Sequence, residues 1–191
     1  MRQNQMLTIT EGTRNELDGG RRREVLPISP RETDSVEGSW LDYTLRDAVL
    51  LRPYFDLTRS GMKAEEVSDF ILNGVERIET GQFEFLDGKS LCLREPRGLL
   101  APWSGEIWIA REVWTCQGIE EITRNGRRFS VTWYGGTKEE IFSDAAANRR
   151  GFEARETLSI QLYNLTSARA KVIAAAKSAG LAELSELNGA A

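Results

Sequence analysis

Ile107-Trp108-Ile109-Ala110-Arg111-Glu112-Val113-Trp114 and, further on, Phe129-Ser130-Val131-Thr132-Trp133-Tyr134-Gly135-Gly136 are the stretches that decide the fold class. Both are rich in β-branched and aromatic residues, which suit a pleated, half-buried surface. In the second, Phe129, Val131 and Trp133 alternate with Ser130, Thr132 and Tyr134, so the two sets face opposite sides of a strand. Between the stretches, residues 119–123 read as a short strand and Asn125-Gly126 as a tight turn. Gly135-Gly136 breaks the run and residues 139–142 resume it. Strands at this spacing predict an antiparallel meander over residues 107–142, curled by sheet twist and stabilised by closure or by a covering helix.

Working outward, Phe83 and Phe85 alternate before Asp87-Gly88, and Leu91 and Leu93 alternate after it, which is a hairpin signal. Pro96, Gly98 and Pro102 mark residues 94–102 as a connector. Leu41, Leu45 and Val49 suggest a helix that ends before Pro53. Val67, Phe70 and Ile71 predict a second helix over 63–72, with Glu65 and Glu66 near its start and Asn73-Gly74 as its stop. Beyond Gly151, Leu158, Leu162, Leu165, Val172 and Ala176 follow a helical stripe, and Gly180 is a plausible stop. Residues 1–39, with Gly19-Gly20, Arg21-Arg22-Arg23, Pro27 and Pro30 in a polar setting, read as an arm without regular structure. The expected fold is α+β: a flexible or extended N-terminal arm (1–39), helices plus a β hairpin (40–103), a small antiparallel SH3-like barrel or meander (104–152) and a long C-terminal helix (153–191).

The chain has 191 residues, room for one ordinary domain or two small ones. Hydrophobic residues at 40% and five tryptophans support a sizeable core. A net charge of −4 gives no global attraction to nucleic acid or anionic membrane, and no run is long and apolar enough to span a bilayer. Met1 opens a polar stretch unlike a secretory signal, so an intracellular, cytoplasmic or nuclear compartment is the expectation. Cys92 and Cys116 leave room for one disulfide, though Cys92 reads better as a packed thiol inside an apolar run. With no histidine, histidine-base mechanisms and histidine-containing zinc sites drop out, and two cysteines are too few for an all-cysteine site. Glu106 and Glu112 share parity on the first strand, where such pairs are mostly solvated surface. No catalytic residue, metal site or cofactor is expected, and the chain reads as a non-enzyme.

The informative residues are aromatic. Trp108, Trp133, Tyr134 and Phe142 are the candidate ligand-binding set: rings left open by the meander can hold a cation, anchor a peptide or stack on bases. Arg21, Arg22, Arg23, Arg127 and Arg128 are the candidate nucleic-acid contacts, although a triple arginine is usually just solvated.

Gly105-Glu106-Ile107-Trp108-Ile109-Ala110-Arg111, with Arg128-Phe129-Ser130-Val131-Thr132-Trp133-Tyr134-Gly135-Gly136-Thr137-Lys138-Glu139-Glu140, resembles the Tudor/PWWP/chromo-barrel group of SH3-like barrels. That group opens on a Gly-acid-hydrophobic-Trp strand and carries a Val-x-aromatic-aromatic-Gly-Thr-x-Glu turn. The resemblance spans residues 105–152 and implies an aromatic cage for methylated lysine or arginine, with Trp133 or Tyr134 as a wall and Trp108 on the first strand. Thr115-Cys116-Gln117-Gly118 stands where the group's Pro-Trp-Trp-Pro-like signature belongs. Gly-Glu-Ile-Trp-Ile-Ala-Arg-Glu-Val-Trp, residues 105–114, is also similar to a strand of phage-type ASCH domains, which implies RNA or modified-nucleobase binding. Three function classes stay open: a module binding a peptide or modified residue, an assembly subunit of a larger particle such as a virion, and an ASCH-like nucleic-acid binder. A protein or peptide partner is expected, nucleic acid is the lesser alternative, a membrane is not expected, and oligomerisation is open.

Overall fold

The computed structural model describes residues 1–29, 31–35, 38–84, 91–115, 122–124, 127–150 and 156–181. The elements in chain order are α1 (Gln3–Thr10), α2 (Arg14–Arg22), β1 (Arg31–Ser35), β2 (Gly38–Asp42), α3 (Leu45–Arg59), α4 (Ala64–Thr80), β3 (Gln82–Glu84), β4 (Leu91–Leu93), β5 (Trp108–Thr115), β6 (Ile122–Arg124), β7 (Arg127–Gly136), α5 (Lys138–Arg150), β8 (Glu156–Asn164) and α6 (Leu165–Ser178). The chain divides into two units, one of Met1–Leu72, Gly98–Pro102 and Leu165–Ala191, the other of Asn73–Arg97 and Trp103–Asn164. The fold class is α+β as expected, but among the described residues its small antiparallel sheets do not close into a barrel.

The first unit is helical. α1 packs on α3 and α6, and α3 packs on α6. Met6, Ile9 and Leu17 are fully buried there with Leu51, Phe55, Phe70 and Val172. The N-terminal segment is therefore part of a core, not an arm. The sequence carries the reason: Thr13 and Glu16 form a capping box, with the Thr13 amide donating to Glu16 Oε2 at 2.8 Å and the Glu16 amide donating to Thr13 Oγ1 at 3.3 Å. The helix expected to stop before Pro53 also runs on, as α3, to Arg59. A proline inside a helix costs about 3 kcal/mol, and burial of α3 at almost every position from Leu45 to Phe55 offsets it.

The second unit holds the meander. Its sheet has the order β6-β7-β5-β8, antiparallel throughout, with Arg111 opposite Trp133 on one side and opposite Gln161 on the other. The expected hairpin forms from β3 and β4, but its register pairs Phe83 with Cys92, so Cys92 shares the buried face while Leu91 and Leu93 are exposed. Asp87-Gly88, Asn125-Gly126, Cys116 and the tail after Leu181 lie outside the described residues.

Three expectations need correction. The meander does not resume at 139–142: that stretch opens α5, whose start is another capping box, between Thr137 and Glu140. Residues 156–164 are strand, not the beginning of a long helix, because Leu158 and Leu162 suit a two-residue period as well as a helical one. α4 passes straight through Asn73-Gly74 and stops only at Gly81, which takes φ +65°. Gly74 is there for proximity. A Cβ on it would lie 2.7 Å from Ile109 Cγ2, and one on Gly135 would fall on the Gly74 carbonyl oxygen. Helix and strand approach through a pair of glycines.

Candidate functional site

Cross-strand pairing assigns the side chains of the second unit's sheet to two faces. Ala110 lies opposite Tyr134, Glu112 opposite Thr132, and Trp108 opposite Gly136, so Trp108, Ala110, Glu112, Thr132 and Tyr134 share one face. Trp133, paired with Arg111, is on the other. On the first face a core forms from Phe83, Ala110, Tyr134, Ile141 and Ala145, with Cys92 and Trp108 packed against it.

A polar network lies within this core. Glu112 is fully buried, its Oε2 accepting a hydrogen bond from the Tyr134 hydroxyl at 2.6 Å and its Oε1 one from Thr157. Asn148 Nδ2 donates to the Tyr134 oxygen at 3.1 Å, and Trp114 Nε1 donates to Thr132 Oγ1 at 2.9 Å. Burying a carboxyl is costly unless its oxygens are hydrogen-bonded. Here sheet and helix α5 both supply donors, so the network ties α5 to the sheet. Sequence reasoning read Glu112 as solvated surface, and the structure reverses that.

Cations meet the rings at two places. The Arg77 guanidinium lies 4.4 Å from the Phe83 centroid, and Phe83 stacks on Tyr134 at 5.4 Å and 23°. Burial pushes the Arg77 pKa below its ordinary value. Lys138 Nζ lies 4.1 Å over the Trp108 ring. Nearby, Arg94 grips Asp144 through two bonds of 2.6 and 2.8 Å, and Arg97 grips Glu140 through two of 2.7 and 2.8 Å. The hydrogen bond from Arg97 holds the Glu140 carboxyl below the usual carboxylate range. These bidentate pairs pin the chain after β4 to the first two turns of α5, and so fix Lys138 above Trp108.

The four predicted ligand-binding residues separate. Tyr134 is 0% exposed and spent on Glu112 and Asn148, which corrects its assignment as a cage wall. Trp133 is half-buried on the opposite face, with its indole nitrogen buried and unbonded. Trp108 is half-buried at the core's edge, its indole nitrogen likewise unbonded. Phe142 is 49% exposed on α5, one helical turn beyond Lys138. Phe142 thus shares a helix stripe with Lys138, whose ammonium lies over Trp108. That lysine was not singled out from the sequence, although it follows directly on the Gly-Gly-Thr turn.

The candidate nucleic-acid contacts also separate. Arg21, Arg22 and Arg23 end α2, where Arg21 donates to the Tyr43 hydroxyl, Arg22 Nε to the Asp18 carbonyl and Arg23 Nε to the Gly19 carbonyl. Arg127 and Arg128 begin β7, paired with Arg124 and Thr123, with side chains outside what the structure describes. In the first unit an open cleft of about 410 Å³ is lined by Arg23, Tyr54, Arg59, Lys63, Glu16 and Glu65. Its Arg59 is already held by Glu16 at 2.6 Å, and three cations there stand beside two carboxylates. Among the described residues no helix is long and apolar enough to cross a membrane. No protein-family model matches the chain, and no curated protein does.

Proposed function

We propose that the chain is a non-enzymatic binding module that receives a methylated, cationic side chain of a peptide on the Trp108 ring, with Phe142 as a second apolar contact. The observation that carries this reading is the Lys138 ammonium 4.1 Å over the Trp108 ring. A ring face that accepts a cation from its own chain has the electrostatic character to accept one from a visitor. Lys138 then acts as an internal occupant that the ligand displaces. Phe142, half exposed one turn along the same helix stripe, offers apolar surface beside it. Kinship with the Tudor/PWWP barrels belongs to the same proposal. It is supported by part of each half of the resemblance (residues 105–111 and 128–140) lying in neighbouring paired strands, residues 108–111 in β5 and 130–136 in β7.

The test is fluorescence polarisation of a labelled peptide carrying trimethyllysine, against the same peptide with unmodified lysine. The wild type prefers the trimethylated form, and Trp108→Ala loses that preference. Lys138→Met removes the competing ammonium, whose contact is worth about 0.5–1 kcal/mol, and tightens binding about two- to fivefold. Equal affinity for both peptides, or wild-type discrimination by Trp108→Ala, overturns the proposal.

A further inference from the structure

We infer that β8 is a homotypic edge, pairing antiparallel with the β8 of a second copy of this chain across a two-fold axis at Ile160. Among the described residues β8 is terminal in the sheet order, bonded to β5 on one side only. Its exposure fits an uncovered edge, with Leu158 52% and Leu162 37% exposed and most of the intervening residues open.

Edge strands that must stay single are blunted with lysine, proline, inward-pointing charge or a β-bulge. The run Thr157-Leu158-Ser159-Ile160-Gln161-Leu162-Tyr163-Asn164 carries no charge and no proline. The one irregularity in its pairing with β5 falls at Leu158, near one end, and leaves residues 159–164 regular.

The occupant is argued from self-complementarity. A two-fold axis at Ile160 sets Ile160 against its own copy, Leu158 against Leu162 and Ser159 against Gln161; beyond the bulge at Leu158, Thr157 turns to the Glu112 face, so the match holds over residues 158–162. Each exposed leucine meets a leucine and each short polar residue a polar one, on the faces that alternation assigns. The single charge of β8, Glu156, lies outside that stretch. Isologous pairing of this kind closes after two chains, joining two four-stranded sheets into one of eight strands. A heterologous peptide would match the backbone edge equally well, but not the side-chain symmetry about Ile160.

The experiment is sedimentation velocity of the full chain across a concentration series, with two paired variants at exposed polar positions. Ser159→Lys with Gln161→Lys places lysine opposite lysine in the dimer, whereas Ser159→Lys with Gln161→Glu places lysine opposite glutamate. Unchanged thermal unfolding of both variants establishes that each chain is folded. The wild type is expected to double in mass with concentration, the double-lysine variant to stay monomeric, and the lysine–glutamate variant to recover the doubling. A wild type monomeric throughout, a dimer that survives the lysine pair, a lysine–glutamate variant that stays monomeric, or open-ended polymers would each overturn the inference. Because neither Trp108 nor Phe142 is altered, the result is independent of the peptide-binding reading.

Discussion

Tyr134→Phe removes one oxygen atom and leaves the ring. Stacking on Phe83 at 5.4 Å is retained, while Glu112 Oε2 loses its 2.6 Å donor and Asn148 Nδ2 loses its 3.1 Å acceptor. Glu112 is 0% and Asn148 2% exposed, so neither group that loses its Tyr134 partner reaches water without local rearrangement. An unsatisfied buried polar group costs about 1–3 kcal/mol, and the lost bond to the amide adds about 1 kcal/mol, giving roughly 2–4 kcal/mol in all. With a urea slope of about 2 kcal/mol/M, the middle of the usual range, the unfolding midpoint falls by about 1–2 M. Urea unfolding followed by tryptophan fluorescence measures it, and an unchanged slope shows that the native state keeps its compactness. The double-mutant cycle with Glu112→Gln separates coupling from packing and should return an interaction of at least about 0.5 kcal/mol. A cost of Tyr134→Phe below about 0.5 kcal/mol, or a cycle that sums additively, would refute the reading that this oxygen ties α5 to the sheet. Peptide affinity should be unaltered, since the ring is sealed from any visitor.

Gly74→Ala is expected to destabilise, although alanine is the better helix former by about 1 kcal/mol. The added methyl meets Ile109 at 2.7 Å, and such overpacking costs about 1–3 kcal/mol, so thermal unfolding should come earlier; a stabilised variant would contradict the close approach of α4 and β5. Acid should unfold the chain as pH falls from 4.5 towards about 2, because the Arg59 hydrogen bond holds Glu16 at about 2 and the Arg97 hydrogen bond also depresses Glu140. Both groups have folded-state pKa values below the unfolded ones, so their stabilisation is complete above 4.5 and lost on protonation. Glu16→Gln should flatten part of that slope in melting temperature against pH; an unchanged profile would show that the Arg59 pair contributes nothing.

What could be read from the chain followed from how local the signals were. The strands at 108–114 and 129–134 and the hairpin pairing of Phe83 were legible because β-branched and aromatic alternation is a two-residue signal. The N-terminal helices were missed because α2 is polar and glycine-containing; its Thr13-to-Glu16 capping box was the available sign and went unweighed. The same signal at Thr137 and Glu140 marked α5, and reading past it made Phe142 a strand residue when it is a helical one. Leu158 and Leu162 satisfy both periods, and only tertiary pairing with β5 decides for strand, while Leu165 opens α6. Of the candidate site, alternation correctly set Tyr134 and Trp133 on opposite faces, but not which face is closed. That depends on α5 and on the partners of Glu112, contacts more than ten residues apart that no local pattern encodes.

The Trp108 ring as a cation-receiving surface is tested most directly by the indole N–H resonances of the five tryptophans during titration with a trimethyllysine peptide. Trp108→Phe assigns its signal. The account predicts that this resonance shifts saturably while that of Trp114, bonded to Thr132, stays in place, and that Lys138→Met moves the midpoint to lower peptide concentration. A Trp108 resonance that does not respond, or a midpoint indifferent to Lys138, would contradict it.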